Sequence, residues 1–307
     1  MKPHSKSDLR APVLIAILGP TGSGKSELAE ALADSLDAEL INADAFQVYR
    51  GLDIGTNKSS RKGDYALIDI KSPNEGYGVG EFVLDANHEL ARIYEQGKNA
   101  IVVGGTGLYI RALYEEYREL APAPSPDLRE KLRSAPLAEL LAELDRLSPG
   151  LGIDRNNRIR VQRALEKALA PTAPIDFRLP PFRKVKLGLE TDPLELAHAL
   201  DQRVLKLLDK GWIGEVEGLL SKGVLVDSPA FRAIGYAEIS HFLRDKLTFE
   251  GLVETIQLQT RQYAKRQRAW MRSEPNLVQF NRANCGPASN TDVETTLKRI
   301  NELTNQG

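Results

Sequence analysis

Six consecutive apolar residues, Val13-Leu14-Ile15-Ala16-Ile17-Leu18, make a run of strand length, and a strand without polar alternation is one covered on both faces. The pattern then changes to Glu27-Leu28-Ala29-Glu30-Ala31-Leu32-Ala33, rich in helix formers, with Leu28 and Leu32 four apart on one face. Further short runs recur between helical stretches: Glu39-Leu40-Ile41-Asn42, Tyr65-Ala66-Leu67-Ile68-Asp69-Ile70, Ala100-Ile101-Val102-Val103 and Val185-Lys186-Leu187-Gly188-Leu189-Glu190. This alternation predicts an α/β fold, a parallel sheet with helices on both faces. Ligands of such sheets bind at the carboxyl ends of the strands. Asp44, just past the second run, and Thr106, just past Val103, are therefore expected near the turn after Leu18.

Between about residues 120 and 181 the strand runs stop. This stretch opens on Ala121-Pro122-Ala123-Pro124-Ser125-Pro126, closes on Leu179-Pro180-Pro181 and is helical in pattern between them, so it reads as a helical insertion. The expected organisation is a core over 1–119, the insertion over 120–181, a return to the core with a basic helix over 182–282, and a polar tail over 283–307 that is loosely ordered apart from a short helix.

The turn after the first strand is Gly19-Pro20-Thr21-Gly22-Ser23-Gly24-Lys25-Ser26, a complete G-x-x-x-x-G-K-[ST] phosphate loop. Its glycines let backbone N–H groups converge on an anion, and the following helix adds its positive end. Lys25 is placed to reach the terminal phosphates and the Ser26 hydroxyl to coordinate Mg²⁺. Taken alone, the motif points toward ATP, and it does not say whose phosphates it holds.

Composition narrows the classes. The chain has 307 residues, 42% hydrophobic and 27% charged, with a net charge of −1; it is no uniformly basic nucleic-acid binder, and RNA affinity would have to come from local patches. A single cysteine, Cys285, excludes an intrachain disulfide and a thiolate zinc site. The apolar run after Lys2 and Lys6 is short and leads into the phosphate loop, unlike a secretory signal, and no stretch has the length to cross a bilayer. A cytoplasmic chain is expected, with no membrane partner. No exposed zipper or apolar stripe demands a second copy, so a monomer is expected.

Two basic helices supply such patches. In Phe249–Arg272, Arg261, Lys265, Arg268 and Arg272 fall at steps of four, three and four along one face, while Leu252, Ile256, Tyr263 and Trp270 take another. In residues 154–163, Val161 starts an apolar stripe with Leu165 and Leu169, leaving Arg155, Arg158, Arg160 and Arg163 on its flanks. Neither helix matches its arginines with acids at helical spacing, a pattern suited to a polyanion.

Several segments together resemble the bacterial tRNA dimethylallyltransferase (tRNA isopentenyltransferase) family. They are Gly19–Ser26; Ile41-Asn42-Ala43-Asp44-Ala45-Phe46-Gln47-Val48-Tyr49-Arg50-Gly51 with Asp53-Ile54-Gly55-Thr56; Gly104-Gly105-Thr106-Gly107-Leu108-Tyr109; Arg163-Ala164-Leu165-Glu166; Arg232-Ala233-Ile234-Gly235-Tyr236; and Thr260-Arg261-Gln262-Tyr263-Ala264-Lys265-Arg266-Gln267. The resemblance implies transfer of a dimethylallyl group from dimethylallyl diphosphate to the exocyclic amine of the adenosine just 3′ of the tRNA anticodon, with release of diphosphate. It implies that Gly19, Pro20, Thr21, Gly22, Ser23, Gly24, Lys25 and Ser26 hold that diphosphate, with Arg232 beside it. Asp44 matches the family's general base. Ala45, Phe46, Gln47 and Thr106 match residues around the reacting base, and Arg129, Ile159, Arg160, Val161, Gln162 and Arg163 match contacts to the anticodon stem-loop. Arg261, Lys265 and Arg268 are added from the basic face. The chain departs from the family's usual Ser-Ala-Asp-Ser-Met at Asn42–Phe46, lacks the usual paired histidines at Asp64-Tyr65-Ala66, and has Ile159 where glutamine is common.

Three other classes share parts of this pattern. A small-molecule kinase would share the loop and core, a synthase acting on free adenine nucleotides would share the prenyl donor, and an RNA-binding protein without catalysis would share the basic helices. The insertion exceeds what a mononucleotide needs, and retention of Lys25, Ser26, Asp44 and Thr106 argues against lost catalysis.

Overall fold

The computed structural model describes residues 11–117, 126–169, 175–281 and 288–305. In chain order they form β1 (Val13–Leu18), α1 (Lys25–Leu36), β2 (Ala38–Asn42), β3 (Tyr65–Ala66), α2 (Val79–Glu95), β4 (Asn99–Gly104), α3 (Gly107–Tyr114), α4 (Pro126–Ser134), α5 (Leu137–Leu147), α6 (Arg158–Leu169), β5 (Arg183–Glu190), α7 (Pro193–Asp209), α8 (Trp212–Ser221), α9 (Tyr236–Phe242), α10 (Phe249–Met271), β6 (Leu277–Asn281) and α11 (Asn290–Asn305). Contacts divide the chain into two compact units: Met1–Tyr77 with Phe82–Glu116 and Arg178–Gly307, and Gly78–Glu81 with Tyr117–Phe177. The proline-rich residues 121–125, Lys2, Lys6 and Cys285 lie outside the described residues.

The first unit carries the expected parallel sheet, six strands in the order β3-β2-β4-β1-β5-β6, with helices on both faces. β1 lies between β4 and β5 and is buried along its whole length, which accounts for its unbroken apolar run. Leu28, Ala29, Leu32 and Ala33 of α1 pack against it. Register sets Leu18 beside Gly104, and Val103 beside Asn42. The carboxyl ends of β1, β2 and β4 are thus level, and the loops leaving them meet at one edge.

Three elements differ from the sequence expectation. The run Tyr65–Ile70 is a strand only over Tyr65–Ala66, because Leu67 and Asp69 take φ of 65° and 57° and turn the chain out of the ladder. Asp69 is held in that turn by Lys58 Nζ at 2.5 Å. β6 adds an outer strand that its short, half-buried sequence does not announce. The tail, expected to be loosely ordered apart from a short helix, carries in α11 a helix of 16 residues. Its Ile300 is 2% exposed and joins the core formed by β1, β5 and α1.

In the second unit, α4, α5 and α6 enclose their own small core of Leu132, Leu140, Leu144, Val161 and Leu165. Arg158 closes the end of α4 by donating to the carbonyls of Leu132, Arg133 and Ala135 at 3.1, 2.7 and 2.6 Å.

β5 carries a lysine in the middle of its apolar run. Lys186 is 6% exposed, and its Nζ donates to Glu274 Oε1 at 2.8 Å and Glu115 Oε1 at 2.6 Å. Glu274, just past α10, also accepts from Arg111 Nε of α3 at 2.8 Å. The network joins the sheet to α3 and to the end of α10. Removing one partner of a buried pair strands the other charge. Glu274→Ala is accordingly expected to cost about 3–5 kcal/mol in urea unfolding, and Lys186→Met combined with Glu274→Leu to recover most of it. A single-variant loss below about 1 kcal/mol, the range of exposed pairs, would show that the network carries little stability.

Candidate active site

Beyond β1 the chain turns through Gly19–Gly24 into α1. Ser23 N–H donates to the Pro20 carbonyl at 3.2 Å, and Gly22 and Gly24 hold left-handed φ values of 82° and 74°, open to glycine at no steric cost. The loop lines a cavity of about 290 Å³ together with Asp44, Gln47, Thr56, Arg203 and Tyr263. Lys25 Nζ lies 3.5 Å from the Pro20 carbonyl, to which it donates. The residue is half-buried and lines the cavity. Burial pushes its pKa down to about 8; Asp44 pulls the other way and Arg203 adds repulsion.

The loop after β2 fixes Asp44. Its N–H donates to Asn42 Oδ1 at 3.1 Å, and its own Oδ1 accepts from Phe46 N–H at 2.9 Å and, more weakly, Gln47 N–H at 3.4 Å. Oδ2 accepts no hydrogen bond among the described residues. Thr106 ties this loop to the one after β4: its Oγ1 accepts from Ala45 N–H at 3.0 Å, and its N–H donates to the Ala43 carbonyl at 3.3 Å. Asn42, where the resemblance leads one to expect serine, also donates from Nδ2 to Leu67 O at 3.0 Å and so holds the chain beyond β3 as well.

A third tie comes from α10. Gln267, 8% exposed, accepts from Thr21 N–H at 2.8 Å through Oε1 and donates to Gly105 O at 3.0 Å through Nε2. One carboxamide thereby bridges the phosphate loop and the β4 loop. A side chain at Gly105 would collide with Gln267 Nε2, and one at Gly107 with the ring of Trp270. The Tyr263 hydroxyl, one turn earlier, sits beside Thr106 and Gln267; burial, then the Asp44 charge, hold its pKa well above the usual tyrosine value.

A second cavity, about 250 Å³, adjoins the first. Phe46, Val204, Leu207, Trp212 and Ile234 give it apolar walls, and Arg203, Arg232 and Arg266 bring charge to it. Its shape depends on Trp212, whose ring leaves no room for a Cβ at Gly55 or Gly235. Glu215 holds the Gly55 side by accepting from the N–H groups of Asp53, Ile54 and Gly55 at 2.8, 2.6 and 3.2 Å and from Tyr236 Oη at 2.7 Å.

The sequence-marked residues therefore separate into groups. Thr21, Lys25, Ser26, Asp44 and Gln47 share the phosphate cavity, Phe46 and Arg232 face the apolar one, and Thr106 and Ala45 join the loops between. Arg261, Lys265 and Arg268 line a separate groove of about 380 Å³ against α7. In the second unit, Ile159 is 72% exposed and Arg160 is exposed beside it.

The expectation that the arginines lack acidic partners is corrected. Arg261 is paired with Asp201 of α7, Arg155 with Asp145 of α5, and both Arg129 and Arg163 with Glu166 of α6. Asp201 and Asp145 come from other helices and are hidden from a count along one face, whereas Glu166 stands three residues after Arg163 on the same helix. Gln162 also donates to Glu166, at 3.2 Å. Val161 is fully buried in the core of its unit, so its side chain is not a surface contact, because it belongs to the same stripe that packs α6 on α5.

Four residues of the site were not singled out from sequence as site residues: Arg203, Tyr263, Arg266 and Gln267. Tyr263 and Gln267 stand four apart in the Thr-Arg-x-Tyr-Ala-Lys-Arg-Gln run, and that spacing was the available signal. Arg203 has none, being one charge among many on an amphipathic helix.

A family model described as IPP transferase matches residues 47–274. Among curated relatives, the tRNA dimethylallyltransferase 1 of Citrifermentans bemidjiense is 39% identical, over 86% of this chain and 90% of its own. The tRNA dimethylallyltransferase of a Cyanothece species is 37% identical, over 88% and 92%. The crystal structure of a full-length tRNA isopentenylpyrophosphate transferase from Bacillus halodurans superposes with a TM-score of 0.72 at 31% identity, over 96% of this chain and 97% of that one. A eukaryotic dimethylallyltransferase acting on tRNA shares the fold, with a TM-score of 0.77 at 24% identity over 95% and 80%. On the family match and on these relatives, the chain belongs to the IPP transferase family.

Proposed function

We propose that the protein transfers a dimethylallyl group from dimethylallyl diphosphate to the N6 amine of the adenosine 3′-adjacent to the anticodon in tRNA, releasing diphosphate, as a cytoplasmic monomer. The observation that carries this reading is the position of Asp44. Its carboxylate lies on the wall common to an anion cradle and an apolar cavity, where an allyl carbon would meet an incoming amine.

The amine of adenine is a poor nucleophile, and a carboxylate that takes its proton as the C–N bond forms lowers the barrier. Asp44 Oδ1 is engaged by backbone N–H groups, leaving Oδ2 for that proton. The backbone of the loop, Lys25 and Arg232 stabilise the charge that grows on the diphosphate. Ser26 lines the same cavity and its hydroxyl has no protein partner among the described residues, so it fits as the single protein ligand of a Mg²⁺ carried by the diphosphate. Bound there, the ion would neutralise phosphate charge. Thr106 and Gln267 keep Asp44 and the loop at fixed separation. Phe46, on the apolar wall, offers a face on which an extruded adenine can stack; extrusion costs a few kcal/mol.

Contact with the tRNA backbone falls to cations outside the cavity. In the second unit we assign Arg160, with the exposed Ile159 beside it, and Arg129, Gln162 and Arg163, which would exchange Glu166 for phosphate. On α10 we assign Lys265 and Arg268, with Arg261 exchanging Asp201. Among the described residues no helix is long and apolar enough to cross a membrane.

Labelled dimethylallyl diphosphate incubated with total tRNA, followed by nucleoside analysis, is expected to yield labelled N6-prenyladenosine. Asp44→Ala is expected to abolish it with unchanged tRNA affinity, and near-normal turnover would refute the base assignment. Gln267→Ala is expected to raise KM for the prenyl donor and lower kcat together, since it frees both loops, while leaving tRNA affinity in place; an effect on tRNA binding alone would count against the clamp. Lys25 must be protonated to hold diphosphate. Because its pKa lies at about 8 in the folded chain, kcat/KM for the donor is expected to fall as the pH rises through that value. Lys25→Arg should remove this alkaline limb at whatever activity remains.

A further inference from the structure

Beside the apolar stripe of α6, where Val161 and Leu165 fill the core of the second unit, stands a buried carboxylate. Glu166 is 5% exposed, whereas Asp145, the acid paired with Arg155 in the same unit, is exposed. Three side chains from two helices converge on Glu166. Arg163 Nη1 donates to Oε2 at 2.5 Å, Gln162 Nε2 donates to Oε1 at 3.2 Å, and Arg129 Nε of α4 lies 3.7 Å from Oε1. The same three are assigned above, with Ile159 and Arg160, to contact with tRNA. A buried ion pair is weak evidence for stability, because an apolar side chain of similar volume packs as well or better. The acid therefore calls for a use beyond holding α4 against α6.

Glu166 holds its two arginines from the protein side, while the Arg163 side chain stays 53% exposed and that of Arg129 partly so. Releasing both would strand a buried carboxylate. A guanidinium carries five N–H donors, so it can stay on Glu166 through one and meet a phosphate with others, and the exchange with phosphate is confined to the outer N–H groups. We propose that Glu166 is a positioning residue for tRNA, one buried carboxylate that sets Arg129, Gln162 and Arg163 in the arrangement that receives the RNA backbone. The inference rests on tRNA being the substrate, as read above. A mobile arginine has to be ordered when it binds, at a loss of affinity; two arginines ordered beforehand by a common acid escape that loss. The sign separates this role from plain electrostatics. A carboxylate repels nearby phosphate, so removing it raises affinity if charge alone counts and lowers affinity if orientation counts.

Glu166→Gln in the full chain is expected to lower affinity for an unmodified tRNA transcript about tenfold at fixed salt, the loss that goes with ordering rotamer-rich side chains on binding. In turnover the loss should fall on KM for tRNA and not on kcat. Glu166→Leu, which fills the same space without a charge, should lose affinity to a similar extent while keeping thermal stability. In a chain already carrying Arg129→Ala and Arg163→Ala, Glu166→Gln should cost no affinity and raise it slightly, because only the repulsive charge is left to remove. An equal loss in both backgrounds would mark Glu166 as merely structural and overturn the proposal. So would wild-type or higher affinity in Glu166→Gln, which would make the acid a mask over the arginines. Either result, with the wild-type chain still prenylating tRNA, leaves the proposed reaction standing. A wild-type chain that binds no tRNA would overturn both.

Discussion

The carboxamide of Gln267 is the contact on which the site's geometry depends. A parallel sheet brings the carboxyl ends of β1, β2 and β4 level, but it does not fix the loops beyond them. Gln267 accepts from the phosphate loop and donates to the β4 loop, and Thr106 carries the tie on to the Asp44 loop. Each bond contributes about 1 kcal/mol net, and a buried amide left half-satisfied would cost more than that. The bridge holds only while α10 is fixed. That helix is capped at its start by Thr248, held along its length by Leu252, Ile256 and Ala264, and anchored past its end through Glu274 to Lys186 in the sheet. A lysine in an otherwise apolar strand becomes intelligible as the far anchor of the helix that positions the catalytic loops.

The glycines of the β4 loop follow from the same arrangement. Gly105 and Gly107 admit Gln267 and Trp270 at distances that no Cβ would permit. Arg111 stacks over the outer side of Trp270 at 4.2 Å and also reaches Glu274. The segment Gly104-Gly105-Thr106-Gly107 is therefore a receptor for side chains of α10 as well as a turn. Asp44 is oriented from one side by this loop and from the other by Asn42, whose carboxamide spans β2 and the chain beyond β3.

How much of this could be read from the residues depended on the range of the interaction. β1, α1 and the phosphate loop are local patterns, and so are β2 with Asp44 after it. These were legible, and strand order placed them together. β6 was not, since Leu277–Asn281 is half-buried at the edge of the sheet and lacks either a continuous or a cleanly alternating pattern. α11 was obscured by a polar composition in which only Thr296 and Ile300 are deeply buried. The arginine faces misled because most of their acids lie on neighbouring helices, while Glu166, three residues after Arg163 on α6, is a pairing that helical spacing does show. Gln267 bonds across more than 150 residues of chain, so its role emerges only from the assembled fold.

Sorting the cations by partner sharpens what the phosphate loop is for. Lys186, Lys58 and Arg111 are bound to carboxylates and serve the fold. Lys25 and Arg203 line the cavities and make no ion pair among the described residues, and burial disfavours the charged form of both. In a chain of net charge −1 acids were available to neutralise them, so leaving both open implies an anion brought by the substrate. An ATP-dependent enzyme would satisfy that condition equally. Beside the loop, the apolar walls formed by Phe46, Trp212 and Ile234 suit a hydrocarbon. On the proposed reading the loop holds a leaving group, and Asp44 stands on the wall that the two cavities share.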